Sequence, residues 1–314
     1  MATDTILVTG AKGQIGSELV LALRKIYGES NVVASDISAV SADKDMGRFE
    51  LLDVTDSNRV HEVLQKNNIT QIYHLAALLS GTSEKNPALA WKINMDGLFN
   101  VLDNALDKGI SKVFWPSSIA VFGPNSPKSN TQQYCAMDPT SVYGVSKLAG
   151  EGWIRHYNLK RNMDIRSVRY PGLISYKTKA GGGTTDYAVD IYFEAKEKGH
   201  YTCFLKEDTY LPMMYMPDAI RGTIELMEAP KESILIKDSY NLSAMSFSPK
   251  EVVASIQKEI PTFTTEYIPD FRQAIADSWP QSIDASYAAK EWNWKPEFDL
   301  DKMTKDMLAN VDPK

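Results

Sequence analysis

The chain has 314 residues, 43% hydrophobic and 24% charged, a balance that suits a globular fold with a sizeable core. A formal net charge of -6 speaks against a nucleic-acid or acidic-membrane partner, and no apolar run approaches the roughly 20 residues that span a bilayer. Cys135 and Cys203 are the only cysteines, and His61, His74, His156 and His200 lack metal-ligand spacing, so neither a disulfide framework nor a metal is expected.

Thr5-Ile6-Leu7-Val8 reads as a first strand so near the N-terminus that no targeting peptide is expected, and a reducing cytoplasm is the expected setting. The strand runs into Gly10-x-x-Gly13-x-x-Gly16 and then an amphipathic helix to Tyr27. Strand, glycine turn and helix together suit a dinucleotide: glycines let a pyrophosphate approach, and the helix N-terminus (Gln14, Ile15, Gly16) offers N–H groups. Three glycines in a turn are a weak signal alone. A second strand, Val32 to Ser35, ends at Asp36, and 20 residues separate Asp36 from Gly16. An acid there accepts hydrogen bonds from ribose hydroxyls and repels a 2′-phosphate, and its neighbours Ile37 and Ser38 supply no cation. NAD is therefore expected over NADP.

Alternation of strand and helix continues. Phe49 to Leu52 is a short strand ending at Asp53-Val54, and Asp56-Ser57 caps a helix to about Asn67. Gln71 to Leu75 is a fourth strand that finishes at Ala76-Ala77. Pro87 opens a long helix to about Lys108, on which Asn94 faces either the cofactor side or solvent. Lys112 to Trp115 is a fifth strand, followed by Pro116-Ser117-Ser118. Such alternation predicts an α/β fold, a Rossmann-type doubly wound parallel sheet whose ligands gather at the strands' C-terminal ends. The glycine turn, Asp36, Asp53, Ala76-Ala77 and Ser117-Ser118 all fall at that edge.

The next helix carries Tyr143 and Lys147 one turn apart on one face. A cation beside a phenol favours the phenolate, which moves its pKa toward the range useful to a general base. Chance also places Tyr and Lys four apart in many helices. A sixth strand, Ile165 to Arg169, leads to Tyr170-Pro171-Gly172.

With Thr9-Gly10-x-x-Gly13-x-x-Gly16, Asp53-Val54, His74-Leu75-Ala76-Ala77, Asn94, Ser118 and Tyr143-x-x-x-Lys147, the chain resembles the extended short-chain dehydrogenase/reductase superfamily. The 25-residue separation of Ser118 and Tyr143 is similar too. The resemblance implies that Ser118 holds the substrate oxygen, Tyr143 is the acid/base, and Lys147 lowers its pKa and meets the nicotinamide ribose. It also implies that Tyr170 and Pro171 contact the nicotinamide carboxamide. Relatives acting on sugar nucleotides carry an arginine-containing stretch for the substrate diphosphate. Here Tyr210 to Ala219 has no Arg or Lys, so a smaller, less charged substrate is expected.

Pro171 to Ser175, Gly181 to Ala188, Leu211 to Met216, Tyr240-Asn241-Leu242, Ser246 to Pro249 and Ser278-Trp279-Pro280-x-Ser282 resemble the epimerase-like L-threonine 3-dehydrogenases. A glycine run that opens a helix is either an anion cradle or a capped flexible loop. The resemblance favours the cradle, with Gly183, Thr184 and Thr185 on the substrate carboxylate and Ser80 as a further contact. Met213 to Met216 reads as strand core, and Trp279 as packing that also suits a cover for the site. Ser248-Pro249 opens a helix to about Glu259, and Ala285 to Trp292 and Leu300 to Val311 read as late helices.

The resulting expectation is an NAD-binding region over residues 1–172, with a strand returning near 239–243, and a substrate-binding or lid region over 173–314. The expected activity is NAD-dependent oxidation of L-threonine to 2-amino-3-oxobutanoate. A nucleotide-sugar epimerase or dehydratase, and a non-catalytic NAD-binding regulator, are the alternatives. The superfamily's habit of pairing the helices at Pro87–Lys108 and Val142–Asn158 suggests a homodimer.

Overall fold

The computed structural model describes residues 4–39, 47–178, 181 and 183–312. Its elements in order are β1 (Ile6–Thr9), α1 (Gln14–Tyr27), β2 (Val32–Asp36), β3 (Phe49–Leu51), α2 (Ser57–Lys66), β4 (Gln71–His74), α3 (Ser80–Lys85), α4 (Pro87–Trp91), α5 (Gly97–Asp107), β5 (Lys112–Phe114), β6 (Ser117–Ser118), α6 (Val142–Lys160), β7 (Ile165–Arg166), β8 (Val168–Tyr170) and β9 (Gly172–Ile174). The remainder is α7 (Tyr187–Glu197), β10 (His200–Cys203), β11 (Leu211–Tyr215), α8 (Met216–Glu228), β12 (Tyr240–Asn241), β13 (Met245–Phe247), α9 (Pro249–Glu259), β14 (Thr264–Tyr267), α10 (Arg272–Ser278), α11 (Ser286–Trp292) and α12 (Leu300–Asn310).

Continuous apolar strands demand cover on both faces, which is what a parallel sheet with crossover helices supplies. β1 (Ile-Leu-Val-Thr) and β4 are buried along their whole length. They sit at the centre of a six-stranded parallel sheet ordered β3-β2-β1-β4-β5-β7. Strand order reverses between β1 and β4, and a doubly wound sheet binds ligands in the crevice that opens there. One apolar layer packs Leu7, Val33, Ile72 and Val113 against α2 and α5, and the opposite layer packs Ile6, Val8, Ala34 and Tyr73 against α1 and α8.

The expected sixth strand is broken. Ile165-Arg166 pairs with β5, but after Ser167 the chain turns into β8, which pairs with β6 on one side and β12 on the other. The small sheet β6-β8-β12 thereby gathers Ser117-Ser118 and the approach to Tyr170-Pro171 side by side. A third sheet, β9-β11-β13, carries the chain from Gly172 to Phe247, and β11 is buried throughout, as the methionine-rich stretch leads one to expect.

The expected long helix from Pro87 is also interrupted. Residues Lys92–Asp96 make one π-helical turn between α4 and α5, and Asn94 lies in it. An inserted residue of this kind re-aims side chains, and such turns recur at functional sites.

A second contact pattern ties the late chain to the loop before α6. Gln281 N donates to Lys128 O (2.7 Å), Thr131 N to Ser282 O (2.9 Å) and Asp284 N to Thr131 O (3.0 Å). Lys128 Nζ adds bonds to the carbonyls of Asp277 (2.9 Å) and Trp279 (3.3 Å).

Helix α6 meets the end of β5 closely at Gly150, where a Cβ would lie 2.4 Å from Trp115 Cη2. At Gly152, on the same helix, a Cβ would meet nothing within 4 Å. Overpacking costs about 1–3 kcal/mol, whereas Gly to Ala on an open helix face gains about 1 kcal/mol. Urea unfolding should therefore show Gly150→Ala destabilised and Gly152→Ala equal to or more stable than the parent.

Candidate active site

Two adjoining cavities line the crevice at the strand ends. The distal one, of about 220 Å³, is bounded by Gly10, Gly13, Asp36, Ile37, Asp53, Val54 and Leu75–Leu78. Gly10 lies at φ 67°, and a Cβ there would sit 2.8 Å from Ala76 N, so the turn can pass against the end of β4 only without a side chain. Gly16 packs its α-carbon against the Gly10 carbonyl and Ala11. The N–H groups of Gln14, Ile15 and Gly16 open α1 and have no acceptor within the helix.

The Asp36 carboxylate, on the wall of this cavity, is held from two sides. Oδ2 accepts from Lys12 N (3.1 Å), and Oδ1 accepts from Ser38 N (3.2 Å) and Oγ (3.1 Å). Ile37 and Ser38 supply no cation, but the fold brings one to this end of β2 from elsewhere. Lys12 Nζ reaches across from the glycine turn to donate to Ser38 Oγ (2.9 Å) and Ala39 O (2.9 Å). Adjacency in sequence could not reveal it, because the fold brings the turn over β2. Asp53 keeps Oδ1 on Thr55 N and Oγ1, so it shapes its own turn at the cavity wall.

The proximal cavity, of about 170 Å³, is bounded by Gln14, Ile15, Ala77, Ser80, Ser117, Ser118, Tyr143, Lys147, Tyr170, Pro171, Gly183, Thr184 and Thr185 among others. Ser141 caps α6 by accepting from Gly144 N, which sets the first turn that carries Tyr143. Ser118 Oγ accepts from Ala120 N (3.2 Å), and its hydroxyl lies on the same cavity as the Tyr143 phenol. Lys147 is 3% exposed. Its Nζ donates to Pro116 O (2.6 Å) and lies 4.4 Å from the Trp115 ring centroid and 5.5 Å from that of Tyr143.

The electrostatics depart from expectation. Burial pushes the Tyr143 phenol up to about 12, with the Ser118 hydroxyl pulling the other way. Burial also pulls Lys147 down to about 7, against the Glu151 carboxylate, which raises it. The pair therefore does not by itself lower Tyr143 toward neutral pH: desolvation of the phenol outweighs an ammonium bound to a carbonyl and an indole. His74, fully buried beside Thr9 Oγ1 (2.8 Å), is driven down to about 3 by burial and by Lys147, and stays neutral.

Other expected residues take less direct positions. Asn94 is 5% exposed; its Oδ1 accepts from Leu78 N (2.8 Å), and its Nδ2 donates to Leu78 O (3.2 Å) and Ser146 Oγ (3.3 Å). It clamps the loop after β4 to α6 instead of facing the cavity. The Ser117 hydroxyl is turned away to Glu151 Oε1 (2.6 Å). Gly183 N donates to Asp186 Oδ2 (2.5 Å), so the chain's own carboxylate occupies part of the expected anion cradle, while Gly182 lies outside the described residues. Asp186 and Leu79 also line the cavity, which their places in the sequence do not announce, and Trp279, 7% exposed, is both packed and part of its wall. Asp186 reads in sequence only as a helix cap. Among the described residues, no group of three or more His, Cys, Asp or Glu is placed to hold a metal, and no helix is long and apolar enough to cross a membrane.

The two cavities fit a nicotinamide dinucleotide: a carboxylate at the distal end, uncapped helix N–H groups at the middle, and a phenol–hydroxyl pair at the proximal end. Comparison with known proteins agrees. The chain matches the NAD dependent epimerase/dehydratase family over residues 6–243. An uncharacterized epimerase/dehydratase of Staphylococcus haemolyticus is 50% identical over 99% of this chain and 98% of its own. The holo form of a GalE-like L-threonine dehydrogenase from Cupriavidus necator superposes with a TM-score of 0.96 at 53% identity, covering 98% of this chain and 100% of that one. L-threonine dehydrogenase from Clostridium difficile gives 0.96 at 50% identity, with 99% and 98% covered. The chain thus belongs to the NAD dependent epimerase/dehydratase family, as a Rossmann-type oxidoreductase of the kind whose solved neighbours are threonine dehydrogenases.

Proposed function

We propose that the protein oxidises the 3-hydroxyl of L-threonine with NAD, giving 2-amino-3-oxobutanoate. One observation carries the reading: the Tyr143 phenol and the Ser118 hydroxyl open on the same cavity as Ser80, Thr184 and Thr185. That cavity suits a small polar substrate, and Tyr210 to Ala219 supplies no Arg or Lys for a diphosphate. The threonine dehydrogenase neighbours support the same substrate. Residues 1–172 with the strand near 239–243 form the cofactor-binding part on this reading, and 173–314 the substrate-binding part.

Ser118 orients the substrate hydroxyl and Tyr143 takes its proton. Lys147 meets the ribose and fixes the phenol's surroundings. When bound, oxidised nicotinamide supplies the hydride acceptor for Cβ and a positive charge that favours the phenolate. Ser80, Thr184 and Thr185 position the carboxylate, and Asp186 yields its hold on Gly183 N or turns to the substrate ammonium. Fixing alcohol and base in near-attack geometry is the main source of rate.

Purified protein with NAD and L-threonine should generate NADH absorbance, and UDP-glucose should give no conversion. The rate should rise with pH through the alkaline range, since the phenol, which burial holds above its ordinary value, must lose its proton. Tyr143→Phe should keep NADH binding and lose turnover by about 10²–10⁴-fold. Undiminished turnover in that variant would exclude Tyr143 as base.

Cofactor choice rests on Asp36 with Lys12 beside it. Steady-state kinetics of Asp36→Ser should show KM for NAD raised about tenfold or more, since hydrogen bonds to a charged group are worth about 1.5–3 kcal/mol. NADP should become a usable cofactor, because Lys12 remains to meet its 2′-phosphate.

We also read Leu89, Trp91, Val145, Trp153 and Leu159, all more than 40% exposed on α4 and α6, as the apolar face of a homodimer. Sedimentation should give twice the chain mass, and Trp153→Glu should return it to one.

A further inference from the structure

Glu151 is 2% exposed and sits one helical turn beyond Lys147, on the same side of α6. A carboxylate that deep needs partners, and it has three bonds. Oε1 accepts from Ser117 Oγ (2.6 Å) and Arg169 Nε (2.9 Å), and Oε2 accepts from Arg169 Nη2 (2.7 Å). Arg169 is 1% exposed and commits Nη1 to Gln133 O and Asn241 Oδ1, both at 3.0 Å. Ser117 and Arg169 are partners in register on β6 and β8. Each immediately precedes a residue that lines the proximal cavity, Ser118 in one strand and Tyr170 in the other. Pro116, whose carbonyl receives Lys147 Nζ, precedes Ser117.

We propose that Glu151 is a positioning residue of the catalytic set. Its carboxylate fastens the strands that carry Ser118 and Tyr170 to the helix that carries Tyr143 and Lys147. The Ser117 bond holds the 116–118 turn in register with α6, so the Lys147 ammonium keeps its carbonyl acceptor and Ser118 keeps its place at the phenol. The inference rests on the dehydrogenase reading for its kinetic readout, though not for its structural one.

A purely architectural ion pair would make a different prediction. Breaking it would lower stability and degrade cofactor binding, KM and kcat together. A positioning role moves kcat while leaving the binding of threonine and NADH in place. The test uses the intact protein with Ser117→Ala, Glu151→Gln and the double variant. It measures kcat, KM for threonine, NADH affinity by fluorescence, and the Lys147 Nζ–Pro116 O distance in a crystal structure of Ser117→Ala.

Each single variant is expected to lose about tenfold in kcat, with KM and NADH affinity within about twofold of the parent. The double variant should be no slower than the slower single one, because both substitutions cut the same link. The 2.6 Å contact should lengthen in Ser117→Ala. Parental kcat in Ser117→Ala, multiplying losses in the double variant, or binding constants that worsen in step with kcat would overturn the proposal. Should Glu151→Gln not fold, Ser117→Ala decides alone by kcat and the contact distance. A parent protein inert toward threonine would instead refute the function, and the unmoved or lengthened contact would still judge the clamp.

Discussion

An ammonium withdrawn from water must be compensated by its surroundings, and much of this molecule is arranged around one such group. Lys147 gives Nζ to a main-chain carbonyl, rests near an indole face and lies one turn from a buried carboxylate. Trp115 can lie against α6 only because Gly150 offers no side chain there. Pro116 presents its carbonyl because β5 ends and β6 begins at that point. The helix, two strands and the turn between them therefore meet around one buried ammonium, with Tyr143 one turn away.

That arrangement explains why a tyrosine–lysine pair is not sufficient by its own charges. In the free protein, burial holds the phenol protonated and presses the lysine toward neutrality. On the reading proposed above, the positive charge of an oxidised nicotinamide beside the phenol would favour its loss of a proton.

Much of the fold is legible in the residues. Apolar strands alternating with amphipathic helices point to the parallel sheet, and β1 through β5 fall within a residue or two of expectation, because each is a local pattern. The glycine turn and Tyr143-x-x-x-Lys147 are legible for the same reason. Features made by distant segments meeting are not: Lys12 over Ser38, the division of the sixth strand at Ser167, and the exchange between Glu151 and Arg169. Asn94 shows the mixed case. Its presence in the helix is plain, but a π-helical turn and a bond to Leu78 decide where its amide points, and neither leaves a periodic mark. The direction of the Tyr143 shift is hidden because a sequence displays neighbouring charges and conceals depth.

The ties between residues 128–131 and 281–284 bear on how the pocket can breathe. Trp279 belongs to a segment whose backbone is sewn to the loop ahead of α6, with Lys128 gripping two of its carbonyls. Such a wall cannot swing on a single hinge residue. It must either move with the 123–133 loop as one body or part with several hydrogen bonds at once, which makes its opening a small cooperative unfolding event. Passage of ligands past this side would then carry the temperature and denaturant sensitivity of local unfolding, a property usually sought in flexible loops and found here in a stitched one.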